Sequence, residues 1–312
     1  VTSLRLVFAG TPAAAVPSLE RLAGEGLHEV VGAVTRPDAP LGRKRVLTPS
    51  PVAAAAEVHG LPIVKAARLD AEATARIEAL RPDLGVIVAY GGLVREPLLS
   101  LPRLGWINLH FSVLPAWRGA APVQHAIIAG DAELGASVFQ LVPELDAGDV
   151  FAVRSWPNDE GLTAGAALEV LAERGAELLA EVVDGLAAGT ARAVPQYGEA
   201  SLAPKLTIDD GRIDWHRGER EVLARFRGVT PEPGAWTTVG GERLKVLEAR
   251  PVVSADPVEP LPAGELRPER RRVLAGTADV PIELVRVQPA GRGAMAAADW
   301  GRGLAEGLRT LE

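Results

Sequence analysis

The chain has 312 residues, 47% of them hydrophobic, a formal net charge of -7 and no cysteine. That length exceeds the usual domain of roughly 100–200 residues, so two domains are expected; the missing cysteines exclude disulfides, thiolate metal sites and thiol nucleophiles. The acidic excess argues against a wholly basic nucleic-acid binder, and without a ~20-residue apolar run or a secretory signal pattern the expectation is a cytoplasmic protein that meets no membrane.

Leu4 to Ala9 reads as a buried strand, and Gly10-Thr11-Pro12 supplies a turn, an N-cap and a proline at the first helical position, which predicts a helix to about Ala23. The same turn lacks Gly-x-Gly-x-x-Gly, so a plain βα turn is expected there in preference to a dinucleotide site. Val30 to Val34 and Pro62 to Val64 predict strands, Ala71 to Leu80 a helix, and Leu84 to Ala89 a strongly apolar strand. Trp106 to His110 alternates as a strand does, and Ser137 to Val142 is a further apolar run. This rhythm predicts an α/β domain around a mostly parallel sheet, with ligands at the carboxyl edge of its strands.

A long helix from about Thr163 to Ala188 follows, then a linker over 190–206. Beyond it one helix, Gly218 to Arg227, and short runs at Ala235 to Val239, Leu244 to Ala249, Arg272 to Ala275 and Ile282 to Val287 predict a small β-barrel. The domains are therefore expected at 1–189 and 207–312. From Lys205 onward seventeen basic residues balance seventeen acidic ones, so the whole charge of -7 belongs to the first 204 residues. Within that acidic part, Leu41-Gly-Arg43-Lys44-Arg45 is a compact basic exception. The five histidines, His28, His59, His110, His125 and His216, show no metal-ligand spacing, and no metal is expected.

The densest chemistry lies in the run from Asn108 to Pro122 and in Leu145-Asp146-Ala-Gly148-Asp149. Asn108 and His110, two apart on a strand, project from one face, and Asp146 in a tight turn at a strand end can meet them. Alone, Asn108 would cap a loop and His110 would be a satisfied core histidine. Together the three form an amine-acylation set without a nucleophile, because Ser112 lacks the Gly-x-Ser-x-Gly elbow that exposes a hydrolase serine. Direct attack by an amine on an acyl carbon needs an oxyanion donor and a group to manage the amine proton. Asn108 and His110 suit the first role, Asp146 the second.

The Asn-x-His…Asp-x-Gly-Asp pattern resembles the signature of the 10-formyltetrahydrofolate-dependent formyltransferases, and the chain is similar over nearly its full length to the branch that acts on methionyl-tRNA. The likeness extends to Phe8-Ala-Gly10-Thr11-Pro12, Pro37-Asp38-Ala-Pro40-Leu-Gly42-Arg43, Pro49-Ser50-Pro51-Val52, Ala89-Tyr90-Gly91, Lys205-Leu206 and Ile213-Asp214-Trp215, in that family's order. It implies a Rossmann-like catalytic domain followed by an OB-like tRNA-binding barrel. It also implies transfer of formyl from 10-formyltetrahydrofolate, a co-substrate, to the α-amine of initiator methionyl-tRNA by a monomer.

The same resemblance implies site roles. Asn108, His110 and Asp146 would be catalytic; His110 would either join Asn108 as a donor or, protonated beside a carboxylate, return a proton to the leaving nitrogen. Ser112, Val113, Leu114 and Pro115, which could also be a mere strand exit, would bind folate, as would the Tyr90-Gly91 loop. Arg43, Lys44 and Arg45 would contact the tRNA acceptor end, with Lys205, Lys245 and Arg270-Arg271-Arg272 as weaker phosphate contacts or plain solvated charge. Arg118 and Gln124 are scaffold or substrate donors. Phe111, Ala147 and Val94-Arg95 depart from the family pattern beside the folate pocket. The competing functions are a formyltransferase for a sugar-nucleotide or other small amine, and a catalytically silent RNA binder.

Overall fold

The computed structural model describes residues 3–24, 26–42, 44–158, 161–253, 258–305 and 309–312. Its elements run β1 (Arg5–Gly10), α1 (Val16–Ala23), β2 (Glu29–Thr35), a hairpin of β3 (Ala39–Leu41) and β4 (Val46–Thr48), α2 (Pro51–Val58), β5 (Ile63–Lys65), α3 (Ala71–Ala79), β6 (Leu84–Val88) and β7 (Trp106–His110). They continue with β8 (Arg118–Gly119), α4 (Pro122–Ala129), β9 (Glu133–Gln140), β10 (Val150–Pro157), α5 (Ala164–Ala187) and β11 (Leu202–Ala203). The contacts define two units, and no single cut separates them. Val1–Pro122, Glu133–Pro157 and Leu168–Pro204 form the first; Val123–Ala132, Asn158–Ala167 and Lys205–Glu312 form the second. Residues 190–204, read from the sequence as linker, thus belong to the first unit.

The first unit is built on a seven-stranded sheet of order β10-β9-β7-β6-β1-β2-β5. The five strands from β7 to β5 are parallel, as expected, whereas β9 runs antiparallel to β7 and β10 antiparallel to β9. Central parallel strands are covered on both faces, which is why they read as continuous apolar runs; all five residues of β6 are buried. Trp106 is fully buried, and its indole N–H donates to the Leu98 carbonyl at 2.8 Å.

Helix starts follow local chemistry, with one correction. Ser50 caps α2 by accepting from Ala53 N at 3.0 Å, with Pro51 in first position, and Asp70 caps α3 in the same way. The expected cap at Thr11 does not form: a 3-10 turn over Ala13–Ala15 intervenes, α1 starts at Val16 without a side-chain cap, and the Thr11 hydroxyl donates instead to the Tyr90 carbonyl at 2.9 Å. That bond links the β1 and β6 loops at the carboxyl edge.

The second unit holds α6 (Glu219–Gly228) and a curled antiparallel half-barrel of β12 (Ala235–Val239), β13 (Glu242–Pro251), β14 (Leu266–Pro268), β15 (Val273–Ala275), β16 (Ile282–Pro289) and β17 (Met295–Ala296), followed by α7 (Ala297–Arg302). Its edge strands are tied by the last residues of the chain, where Leu311 bridges Val239 and Thr310 bridges Glu265. The core gathers Trp215, Phe226, Leu244, Val246, Leu284 and Val287 among others.

Gly85 on β6 has no room for a side chain, since a Cβ there would lie 2.1 Å from the Trp106 ring. Overpacking of this kind costs about 1–3 kcal/mol. Gly85→Ala is expected to lower stability by about that amount or more in urea unfolding, and an unchanged midpoint would contradict this account of the core.

Candidate active site

The carboxyl end of β7 sets the site. Asn108 is half-buried between the fully buried Ile107 and Leu109, and its amide has no hydrogen-bond partner among the described residues. His110, on the same face two residues on, is buried and stands edge-on to Phe139 of β9. Its Nε2 lies 2.9 Å from the Trp117 carbonyl, which can only accept, so Nε2 carries the hydrogen and the neutral ring keeps its lone pair on Nδ1. That nitrogen faces Asp146 Oδ2 at 3.9 Å.

Asp146 reaches His110 by a route the sequence reading did not foresee. Because β9 is antiparallel, its last residue, Gln140, pairs with Ile107, three residues before His110. The loop from Leu141 to Asp149 therefore doubles back to deliver its carboxylate. Gly148 makes the return possible: a Cβ there would lie 1.8 Å from the Gln140 carbonyl oxygen. Asp146 itself adopts a left-handed backbone (φ 44°), a conformation that costs of order 1 kcal/mol for a non-glycine residue and persists where its surroundings fix it. Its Oδ2 accepts from the Gly119 N–H at 2.8 Å.

Trp117 and Gly119 are the contributors that side-chain reasoning missed, because both act through the backbone. The available signal was the glycine: Gly119 has φ 125°, and a Cβ there would sit 2.6 Å from the Ala203 carbonyl of β11, which pairs with β8.

Ser112 is no nucleophile in this arrangement. Its hydroxyl donates to the Ala116 carbonyl at 2.6 Å, and its own carbonyl accepts from Ser137 Oγ at 2.7 Å. Ser137 Oγ also accepts from Leu114 N, so the turn through Val113, Leu114 and Pro115 is pinned; Val113 is exposed and Leu114 buried. Tyr90 follows β6, the neighbour of β7, but its ring lies in the core, where burial pushes its phenol up against the weaker opposing pull of Arg36. Gly91, exposed beside it, has φ 75°. Arg118 hydrogen-bonds within the first unit, and Gln124 lies in the second.

Lys44 and Arg45 are exposed in the turn of the β3–β4 hairpin, beside exposed Leu41, Val46 and Leu47. Arg43 lies outside the described residues. Lys205 and Lys245 are exposed in the second unit, as are Arg270 and Arg271, while Arg272 is half-buried and paired with Glu269. No group of three or more metal-ligating side chains occurs among the described residues.

The family comparisons match this architecture. Residues 4–183 fit the formyl transferase model and residues 205–305 the formyl transferase C-terminal domain. A methionyl-tRNA formyltransferase of Clavibacter sepedonicus is 62% identical over 301 residues, covering 96% of this chain and 97% of the relative. The chain belongs to the methionyl-tRNA formyltransferase family. Formyltransferase folds outside this branch resemble it at lower identity. HypX from Aquifex aeolicus, in complex with tetrahydrofolic acid, matches with a TM-score of 0.63 at 18% identity, over 96% of this chain and 47% of HypX. The sugar 3N-formyl transferase WlaRD matches with a TM-score of 0.67 at 12% identity, over 94% and 100%.

Burial holds the His110 imidazole below its ordinary value of 6.5, while the Asp146 carboxylate and the Trp117 carbonyl pull the other way. The folded chain thus takes up this proton later than the unfolded one. The stability tied to neutral His110 is complete above about pH 6.5 and is lost as pH falls toward and through the folded value. An NMR titration of the His110 ring should have its midpoint below 6.5, and Asp146→Asn should move it lower still; an upward move would contradict the pairing.

Proposed function

We propose that the chain transfers the formyl group of 10-formyltetrahydrofolate to the free α-amine of initiator methionyl-tRNA, giving N-formylmethionyl-tRNA for translation initiation. The observation that carries the reading is the Nδ1 lone pair of His110 facing the Asp146 carboxylate at 3.9 Å, on the strand face that also presents Asn108. Such a couple can take a proton, hold it and give it back, and Ser112, its hydroxyl donated to the Ala116 carbonyl, does not compete with the incoming amine.

In this mechanism the amine nitrogen attacks the formyl carbon and the carbonyl electron pair moves onto oxygen. Asn108 donates its amide N–H to that oxyanion. The amine proton passes to the His110–Asp146 couple, directly or through water, and forms a protonated imidazole beside the carboxylate. Collapse of the intermediate breaks the bond between carbon and the N10 nitrogen, which receives the stored proton and leaves. The Nε2–H tautomer, engaged with the Trp117 carbonyl, supports proton return over oxyanion donation as the part played by His110.

Around this centre, Ser112 to Pro115 and the backbone of Tyr90-Gly91 bind the folate, the latter as a Gly-rich loop whose backbone amides a flat pteridine can approach closely. Arg43, Lys44 and Arg45 contact the tRNA acceptor end, where guanidinium groups suit phosphates and base edges. The segment 1–189 is the catalytic domain and 207–312 the tRNA-binding one, with exposed Lys205 a phosphate contact. The reading includes a cytoplasmic monomer that needs no metal. A sugar-nucleotide acceptor is supported by fold likeness alone, at 12% to 21% identity.

The test is transfer of labelled formyl to purified initiator methionyl-tRNA, with uncharged tRNA, free methionine and an amino-sugar nucleotide as controls. Transfer to the charged tRNA alone is expected; transfer to the sugar nucleotide instead would overturn the acceptor assignment. Asn108→Ala should lower kcat by about 10²–10³, the loss of one oxyanion donor, and a change confined to KM would remove its transition-state role. Replacing Lys44 and Arg45 by Ala should raise KM for tRNA and flatten its salt dependence, with kcat little changed.

A further inference from the structure

We infer that Gln196 is a positioning residue for Asp146, holding the 141–149 loop in the conformation that presents the carboxylate to His110. Gln196 lies between the stretches matched by the two family models, in a segment read from sequence as linker. The inference rests on Asp146 being catalytic.

The half-buried amide is fully engaged. Its Nε2 donates to the carbonyls of Asp146 at 2.8 Å and Gly148 at 2.9 Å, while its Oε1 accepts from Arg118 Nη2 at 2.6 Å and Nε at 3.2 Å. The partners decide the orientation of the amide, since carbonyls only accept and a guanidinium only donates. Fixing the carbonyls of residues 146 and 148 fixes the peptide planes that follow Asp146 and Gly148. The left-handed Asp146 is thereby held on its carbonyl side, while the Gly119 N–H holds its side chain.

The other end of the same amide grips Arg118, the residue before Gly119. One side chain therefore ties together the loop that carries the carboxylate and the strand that anchors it. Neighbouring bonds run the same way: Trp117 N donates to Ser201 Oγ at 2.8 Å, and Arg118 N to the Ser201 carbonyl at 2.9 Å. The 196–203 segment is thus a strap across Trp117, Arg118 and Gly119, the residues that orient His110 and Asp146.

Gln196→Met in the full chain fills much of the same space without donating and adds no charge; Gln196→Ala is the second variant should Met fail to fold. With kcat and KM for methionyl-tRNA measured beside the NMR titration of His110, the variant should lose tenfold to about a hundredfold in kcat, the scale of a ~1 Å misplacement, with KM within about twofold. The His110 midpoint should move down toward that of Asp146→Asn. A wild-type kcat together with a wild-type midpoint overturns the inference. Because the titration needs no formyl transfer, a chain inactive toward methionyl-tRNA defeats the proposed function alone, and the midpoint still decides the role of Gln196.

Discussion

The hydrogen bond from the Gly119 N–H to Asp146 is the constraint on which the site depends. The Asp146 side chain is 12% exposed and its neighbour His110 only 7%, so the carboxylate has lost most of its water and must be repaid by fixed donors. Backbone donors serve that purpose with little reorganisation, because the chain that carries them is already ordered. Several demands converge on this one contact: the glycine at 119, the close approach of β11, the left-handed aspartate and the return of the 141–149 loop over Gly148. Release of the carboxylate would leave His110 a buried neutral ring with no carboxylate facing its Nδ1.

The sheet explains why the candidate site gathers at β7. Parallel strands deliver the loops after β1, β6 and β7 to one edge, and the Thr11 hydroxyl on the Tyr90 carbonyl ties two of them together. The reversal at β9 then puts Phe139 against His110 and Ser137 under the Ser112–Pro115 turn. An antiparallel neighbour can thus support a site from the side while its own loop crosses the face. The imidazole is buried by this packing, and its pKa is depressed by it.

Much of this was legible in the sequence wherever burial wrote itself into apolar runs. The strands around β1, β6 and β7 and the long helix α5 stand close to where periodicity put them, and Asn108 and His110 share a face because a strand alternates. Short elements with little contrast went unread. The short apolar helices α2 and α4 lack a polar face, and β10 has a largely exposed middle, so it carries no apolar run. The hairpin of β3 and β4 is exposed almost throughout and hid behind its prolines and basic turn. The supports of the site were illegible for another reason. Trp117 and Gly119 act through a carbonyl and an N–H that every residue possesses, and Gln196 stands fifty positions from the loop it holds.

If His110 and Asp146 work as one proton-holding unit, their contributions to the rate cannot be independent. Single-turnover formyl transfer by His110→Ala, Asp146→Asn and the double variant tests this most directly. The account predicts that the double variant is about as slow as the slower single one. Losses that multiply would contradict it and make the two side chains separate actors.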